Sequence, residues 1–392
     1  MPTKFLPRSA GALPPKTTPA PAQLRRERGN GLNLVAVETP VLSEFHLTAT
    51  PGPGEPLSPT VHRVAELLRV WEASAVRVIV FGPVKEQAAT LASLRQALHE
   101  PALPVTWVEG AACDGSPIAG MQLHAVSGAT VKNLCAGERV VGRTWSDGVA
   151  NHCVLGALEP DRQDAPRPQQ ARETFENLRA ALALAGMTVN HVTRTWLFLD
   201  DILSWYGDFN AVRTSFFAQT ELRPGSFPAS TGVSGRNPSG TALTAAAWAV
   251  QPLAAGFQPF TLAPSPRQCP APAYGSSFSR AAEIHSAGFR QLLISGTASI
   301  APEGQTAHVG DVRGQIELTM QVVEAILESR RMSLADVSRA TAYFKSAADL
   351  PVFQDWLARR ELRTLPVVNA VCEICRDDLL FEIEVDAIQA GN

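Results

Sequence analysis

The C-terminal stretch from Phe381 to Ile388 alternates strictly between apolar and acidic residues. Glu382, Glu384 and Asp386 share one face of a strand, and Phe381, Ile383, Val385 and Ala387 share the other. Strands are poor in Asp and Glu, so three carboxylates in one row call for a reason. Two readings fit: a solvated edge strand, or a site where crowded carboxyls hold a proton near neutral pH and act as a general acid. Seven residues before Glu382 stands Cys375, a small polarisable group for proton transfer or nucleophilic work. Cys113 occupies the same distance from its own proline, so this cysteine also has a plain packing reading. Cys372 and Cys375 form C-x-x-C, but on a strand they face opposite sides, and no two histidines stand at a ligand spacing. No metal and no organic cofactor are expected.

Three segments recur behind this strand. They start at Pro104, Pro228 and Pro366, and each closes on an apolar residue 22 positions later: Val126, Val250 and Ile388. Counting from each proline aligns three outer rows, all apolar, and three inner rows: Gly120, Gln122, His124; Thr244, Ala246, Trp248; Glu382, Glu384, Asp386. Trp248 in a solvent-facing row would be out of place. A shared inner surface, with one unit specialised, explains the rows better than an edge strand does. Upstream of each proline come a helix, a strand and a longer amphipathic helix with apolar residues at three and four. The chain therefore reads as α+β. It divides into a disordered, proline-rich tail over 1–30 and units over 31–127, 128–253 and 254–392.

Composition narrows the function. The chain has 392 residues, net charge −3 and no basic stripe, which argues against nucleic acid. No run reaches the ~18 apolar residues of a membrane helix. Six cysteines in this length make no disulfide framework, and a reducing cytoplasm fits.

The third unit resembles the RidA (YjgF) family, whose chorismate-mutase-like subunits form trimers with clefts between neighbours. The resemblance lies in YGSSFSRA from Tyr274, LLISGTASI from Leu292, GDVRGQIELTMQVVEAIL from Gly310 and the closing FEIEVDAI. It implies three tandem units in one chain, a monomeric pseudo-trimer. Deaminases of that family carry an arginine just after the proline. Here Val367 and Ala229–Ser230 stand there, which argues against imine or enamine hydrolysis. The segment from Arg376 to Glu384, with Arg194-Thr-Trp and the PAxTG-like run at Pro228, resembles the chorismatase branch. That resemblance implies cleavage of chorismate to pyruvate with Glu382 as the acid. Cys375 and Gly296 resemble the 3-hydroxybenzoate-forming subclass. A dianionic substrate needs cations and hydrogen-bond donors. The candidates are Arg194, Arg213, Arg236 and Arg376, with Tyr274 and Ser279 as donors. A binding protein that keeps the cleft without catalysis is the non-enzymatic alternative.

Overall fold

The structure, a computed structural model, describes residues 22–220, 222 and 226–391. Among the described residues each unit contributes the same eight elements, and the first adds one two-residue strand. The first has β1 (Gln23–Gly29), β2 (Leu32–Glu38), β3 (Ser43–Ala49), α1 (Leu57–Val70), β4 (Ser74–Phe81), α2 (Gln87–Leu98), β5 (Val105–Val108), β6 (Ala111–Ala112) and β7 (Gly120–Ser127). The second has β8 (Lys132–Ala136), β9 (Arg139–Ser146), β10 (Ala150–Leu158), α3 (Arg167–Leu184), β11 (Val192–Leu199), α4 (Tyr206–Ala218), β12 (Ala229–Ser234) and β13 (Leu243–Pro252). The third has β14 (Phe260–Ala263), β15 (Ala281–Ser286), β16 (Phe289–Ala298), α5 (Val312–Ser329), β17 (Val337–Phe344), α6 (Leu350–Arg359), β18 (Val367–Val371) and β19 (Phe381–Ala390).

The three sheets run β1-β2-β3-β7-β4-β5, β8-β9-β10-β13-β11-β12 and β14-β15-β16-β19-β17-β18. The order is the same each time, with the unit's last strand in the middle and one parallel pair at the end. The third sheet gains one more strand: β6 of the first unit pairs with β18.

Helix stripes explain the outer faces. In α5, Ile316, Met320, Val323 and Leu327 recur at three and four and lie against Ile383, Val385 and Ala387. Asp311 caps that helix by accepting from the Gly314 N–H at 3.0 Å. Each buried Leu, Ile or Val adds about 1.5–3 kcal/mol. Equivalent cores lie under α1 and α3.

The inner faces meet in a further core drawn from all three units. It includes Ile79 and Phe81, Trp196 and Trp248, and Leu293 and Tyr343. The three acids of β19 are buried with it, which removes the edge-strand reading. Strand registers match the rows counted from the prolines. Arg77 pairs with His124, Arg194 with Trp248 and Arg339 with Asp386, each just after a bulge in its strand.

One boundary moves. Gln23–Gly29 form strand β1, so the tail does not extend to residue 30. An apolar count alone misses this strand, because β1 is half-exposed and rich in arginine. The rest of the expected tail, residues 1–21, lies outside the described residues.

Candidate active site

A cleft of about 240 Å³ opens where β19 and β16 of the third unit face β12 and α4 of the second. Glu382 lies at its back, 4% exposed. A bulge in β16 between Ile294 and Thr297 gives its side chain room. Gly296 sits in that bulge. A Cβ there would run into the Glu382 Oε1 and stand 3.1 Å from its Cδ and 3.2 Å from Thr231 Cγ2. The space kept by this glycine is thus filled by the carboxyl itself.

The two neighbouring glutamates live in different surroundings. Glu384 is held on all sides: Arg194 Nη2 donates at 2.7 Å, Thr231 Oγ1 at 2.5 Å, Arg339 Nη1 at 2.8 Å and Thr341 Oγ1 at 3.3 Å. Burial alone would raise its pKa, but Arg339 and Arg194 override that and bring it down to about 2. Glu382 has no such partners among the described residues. Burial first, and then the charge on Glu384, push its pKa up to about 8. One carboxylate is kept as an anion, and beside it a carboxylic acid survives at neutral pH.

Three arginines line the cleft, and none forms an ion pair among the described residues. Arg213 donates to Asn210 Oδ1 at 2.6 Å, Arg280 to the Cys269 carbonyl at 2.9 Å, and Arg376 to the Gly304 carbonyl at 2.8 Å. Aromatic faces steady them. Phe278 lies 5.7 Å from Arg213 and 5.5 Å from Arg280, and Tyr274 lies 5.4 Å from Arg280 and 5.7 Å from Arg376. The cleft therefore carries net positive charge around a neutral acid, which suits an organic anion with more than one carboxylate.

The structure brings Glu382, Cys375, Arg213, Arg376, Tyr274 and Gly296 to this cleft. Arg194 and Arg236 are elsewhere. Arg194 is fully buried on Glu384 and does not line the cleft. Arg236 is exposed, 3.6 Å from Glu109 and 3.9 Å from Asp200. Ser279 lies behind the wall, where its backbone bridges to Ala229 and its carbonyl accepts from Ser295 Oγ at 2.6 Å. Cys375 lies in the loop after β18 rather than on a strand. Burial, then the nearby Glu382 carboxyl, push its thiol up to about 12, so it is a neutral thiol and not a thiolate nucleophile. Cys372 faces the other way, into the inner core.

Sequence reasoning missed Arg280, Tyr206, Asn210 and Ser230, all on the cleft wall. Arg280 follows Ser279 directly and alternates with it into β15, a signal within reach of the strand period. Tyr206, Asn210 and Arg213 share one face of α4 at helical spacing.

The fold also gathers three possible metal ligands that the sequence scatters. The donor atoms of Glu44, His46 and His124 lie within 4.8 Å of one another. The two imidazoles are stacked, centroids 4.5 Å apart and planes 16° from parallel. Both rings turn Nε2 toward one oxygen: His124 Nε2 bonds to Glu44 Oε2 at 3.0 Å, and His46 Nε2 lies 3.6 Å from it.

Comparison with known proteins agrees with this architecture. Residues 159–236 match the family described as Endoribonuclease L-PSP. The crystal structure of a chorismatase superposes with a TM-score of 0.59 at 21% identity, covering 80% of this chain and 93% of that one. In sequence, the chain is 27% identical over 220 residues to the 3-hydroxybenzoate synthase of Streptomyces hygroscopicus. It is also 27% identical over 217 residues to the chorismatase of the same organism. The chain thus resembles chorismatases, in fold over most of its length and in sequence over 49% of it. The matched segments cover 49% of this chain and 62% and 60% of those two relatives.

Proposed function

We propose that this chorismatase-like chain cleaves chorismate to pyruvate and a hydroxybenzoate, with 3-hydroxybenzoate as the product. The observation that carries the reading is the protonated Glu382 facing Arg213, Arg280 and Arg376, none of which has an acidic partner among the described residues. Two carboxylates of the substrate would replace water on the guanidinium forks. Glu382 would give its proton to the methylene carbon of the enolpyruvyl ether. The C–O bond to the ring then breaks with its electrons, and the side chain leaves as pyruvate. The oxygen of the adjacent ring hydroxyl closes onto the vacated carbon and gives its proton back to Glu382. Opening of that epoxide, with loss of a ring C–H proton to the oxygen, gives the phenol. For a 3-hydroxybenzoate product the substrate's atoms divide between pyruvate and the phenol with no net uptake of water. Glu384, fixed as an anion, keeps the proton on its neighbour in the resting enzyme. The names of the two relatives point to the same chemistry.

Incubation of the purified chain with chorismate, with pyruvate followed by a coupled assay, tests the reading. Pyruvate release with 3-hydroxybenzoate as co-product is the expected result, and no pyruvate at any pH from about 5 to about 9, a window that begins above the ordinary glutamate value and includes the raised carboxyl of Glu382, would refute it. Cys375 is assigned to the ring side of the substrate as a neutral thiol. Cys375→Ala is expected to keep pyruvate release and to lower the 3-hydroxybenzoate fraction in favour of a non-aromatic diol. Chromatography of the products reads this out, and an unchanged ratio returns the cysteine to a packing role.

A further inference from the structure

The repeat produces a second cleft at the place equivalent to the first, between the second and first units. Its walls are β13 and β10 on one side and β5 and α2 on the other, and it measures about 430 Å³. One hydrogen bond from a backbone N–H marks the equivalence. Gly296 N donates to Thr231 Oγ1 at 3.0 Å in the first cleft, and Ala157 N donates to Thr106 Oγ1 at 3.0 Å in the second. Thr244 stands where Glu382 stands: Thr244 pairs with Phe198 and Glu382 with Tyr343, each the next-to-last residue of its partner strand. Ala246 replaces Glu384, so the pair that holds a proton in the first cleft has no counterpart.

The charge of the lining differs as well. Four ionised side chains border the second cleft: Arg95, Arg139, Glu138 and Glu159. None of them forms an ion pair among the described residues, and Arg95 Nε is buried without a hydrogen-bond partner. Among the described residues the Glu159 carboxylate accepts one hydrogen bond, from Thr244 Oγ1 at 3.5 Å. Leu91, Leu103 and Val105 line the same cleft. An arginine fork suits a carboxylate, a glutamate suits an ammonium group, and an apolar floor suits a hydrocarbon side chain.

We infer that this second cleft binds a zwitterion, an α-amino acid with an apolar side chain, without transforming it. Arg95 receives the carboxylate and Glu159 the ammonium group. The inference does not depend on the activity of the first cleft, because binding is read directly.

Titration calorimetry of the full chain with L-phenylalanine as probe tests it. Saturable binding is expected. Benzoate and phenethylamine, each carrying half of the zwitterion, are expected to bind at least about tenfold more weakly, the scale of one lost charged hydrogen bond. Arg95→Gln and Glu159→Gln are each expected to weaken phenylalanine by at least about tenfold, while Arg172→Gln, an exposed change on α3, leaves it unaltered. Both tested side chains are partly exposed, so their replacement leaves the fold in place. Absence of saturable binding overturns the inference. So does benzoate binding as tightly as phenylalanine, or a loss in Arg95→Gln that Glu159→Gln fails to share.

Discussion

Strands β13 and β19 hold the same place in their sheets, each paired on both sides and buried on both faces. Their outer rows are interchangeable: Leu243, Ala245, Ala247 and Ala249 cover α3 much as Phe381, Ile383, Val385 and Ala387 cover α5. Their inner rows are not. Ala246 and Trp248 join the core shared by the units and Thr244 lines the second cleft, whereas Glu382, Glu384 and Asp386 hold the matching places in the third. Packing against a helix fixes the outer face, and any apolar set of the right volume will serve. The inner face looks across to a different unit, so each copy can change there alone. In β19 the change required cations to follow. Arg339 bonds Asp386 at 2.5 Å and Glu384 at 2.8 Å, and Arg194 reaches over from the second unit. Without them two buried anions would cost several kcal/mol each.

The strongest way to break this contrast is to make β19 neutral at its first acid. Glu382→Gln keeps shape and removes the proton, and pyruvate release is expected to fall by ~10²–10⁴ with folding intact. A coupled assay beside a circular dichroism spectrum checks both halves.

Next comes the second acid. Glu384→Gln leaves Arg194 and Arg339 facing a neutral group, and stability is expected to fall by about 3–5 kcal/mol in a denaturant titration. The pH dependence gives the sign of the coupling. A general acid works while protonated, so kcat/KM of the native chain should fall as pH rises through about 8. The anion at Glu384 raises the pKa of Glu382, so its removal should move that basic limb to lower pH. A limb that stays in place would mean that the two carboxyls do not communicate.

A smaller effect is expected at the bulges. Gly296→Ala would press a methyl group onto the Glu382 carboxyl, and kcat should drop by ~10²-fold, the scale of a misplaced catalytic group. At the matching bulge of the second unit Ala157 already carries a Cβ, with φ at 49°. Ala157→Gly relieves that left-handed backbone, and a gain of about 0.5–1 kcal/mol in thermal unfolding is expected.

Much of this was legible before any coordinates. The 22-residue spacing set the three strands in register, and the register put Glu382, Glu384 and Asp386 on a face shared with Trp248. Cys375, Arg376 and Gly296 came from the resemblance to chorismatases rather than from the spacing. What the period of a strand cannot say is which neighbour lies across the interface. Arg194 and Arg213 look alike in sequence, yet one meets Glu384 and the other opens on the cleft. A repeat comparison carried one hint: Arg77, Arg194 and Arg339 recur at one position, which marks a place in the architecture rather than a ligand contact. The arginine-rich β1 and the two-residue β6 are too polar or too short to leave an apolar rhythm.

That short strand has a consequence for how the molecule comes apart. Chain order links the first unit to the second and the second to the third. By pairing Ala111 and Ala112 with Val371 and Ala370, β6 joins the third back to the first. The contacts then form a closed ring, and no unit has a free flank from which to peel. A linear array of repeats can fray from its ends. In a ring, opening any one seam strains the other two, so the three units should melt in one cooperative step rather than in sequence.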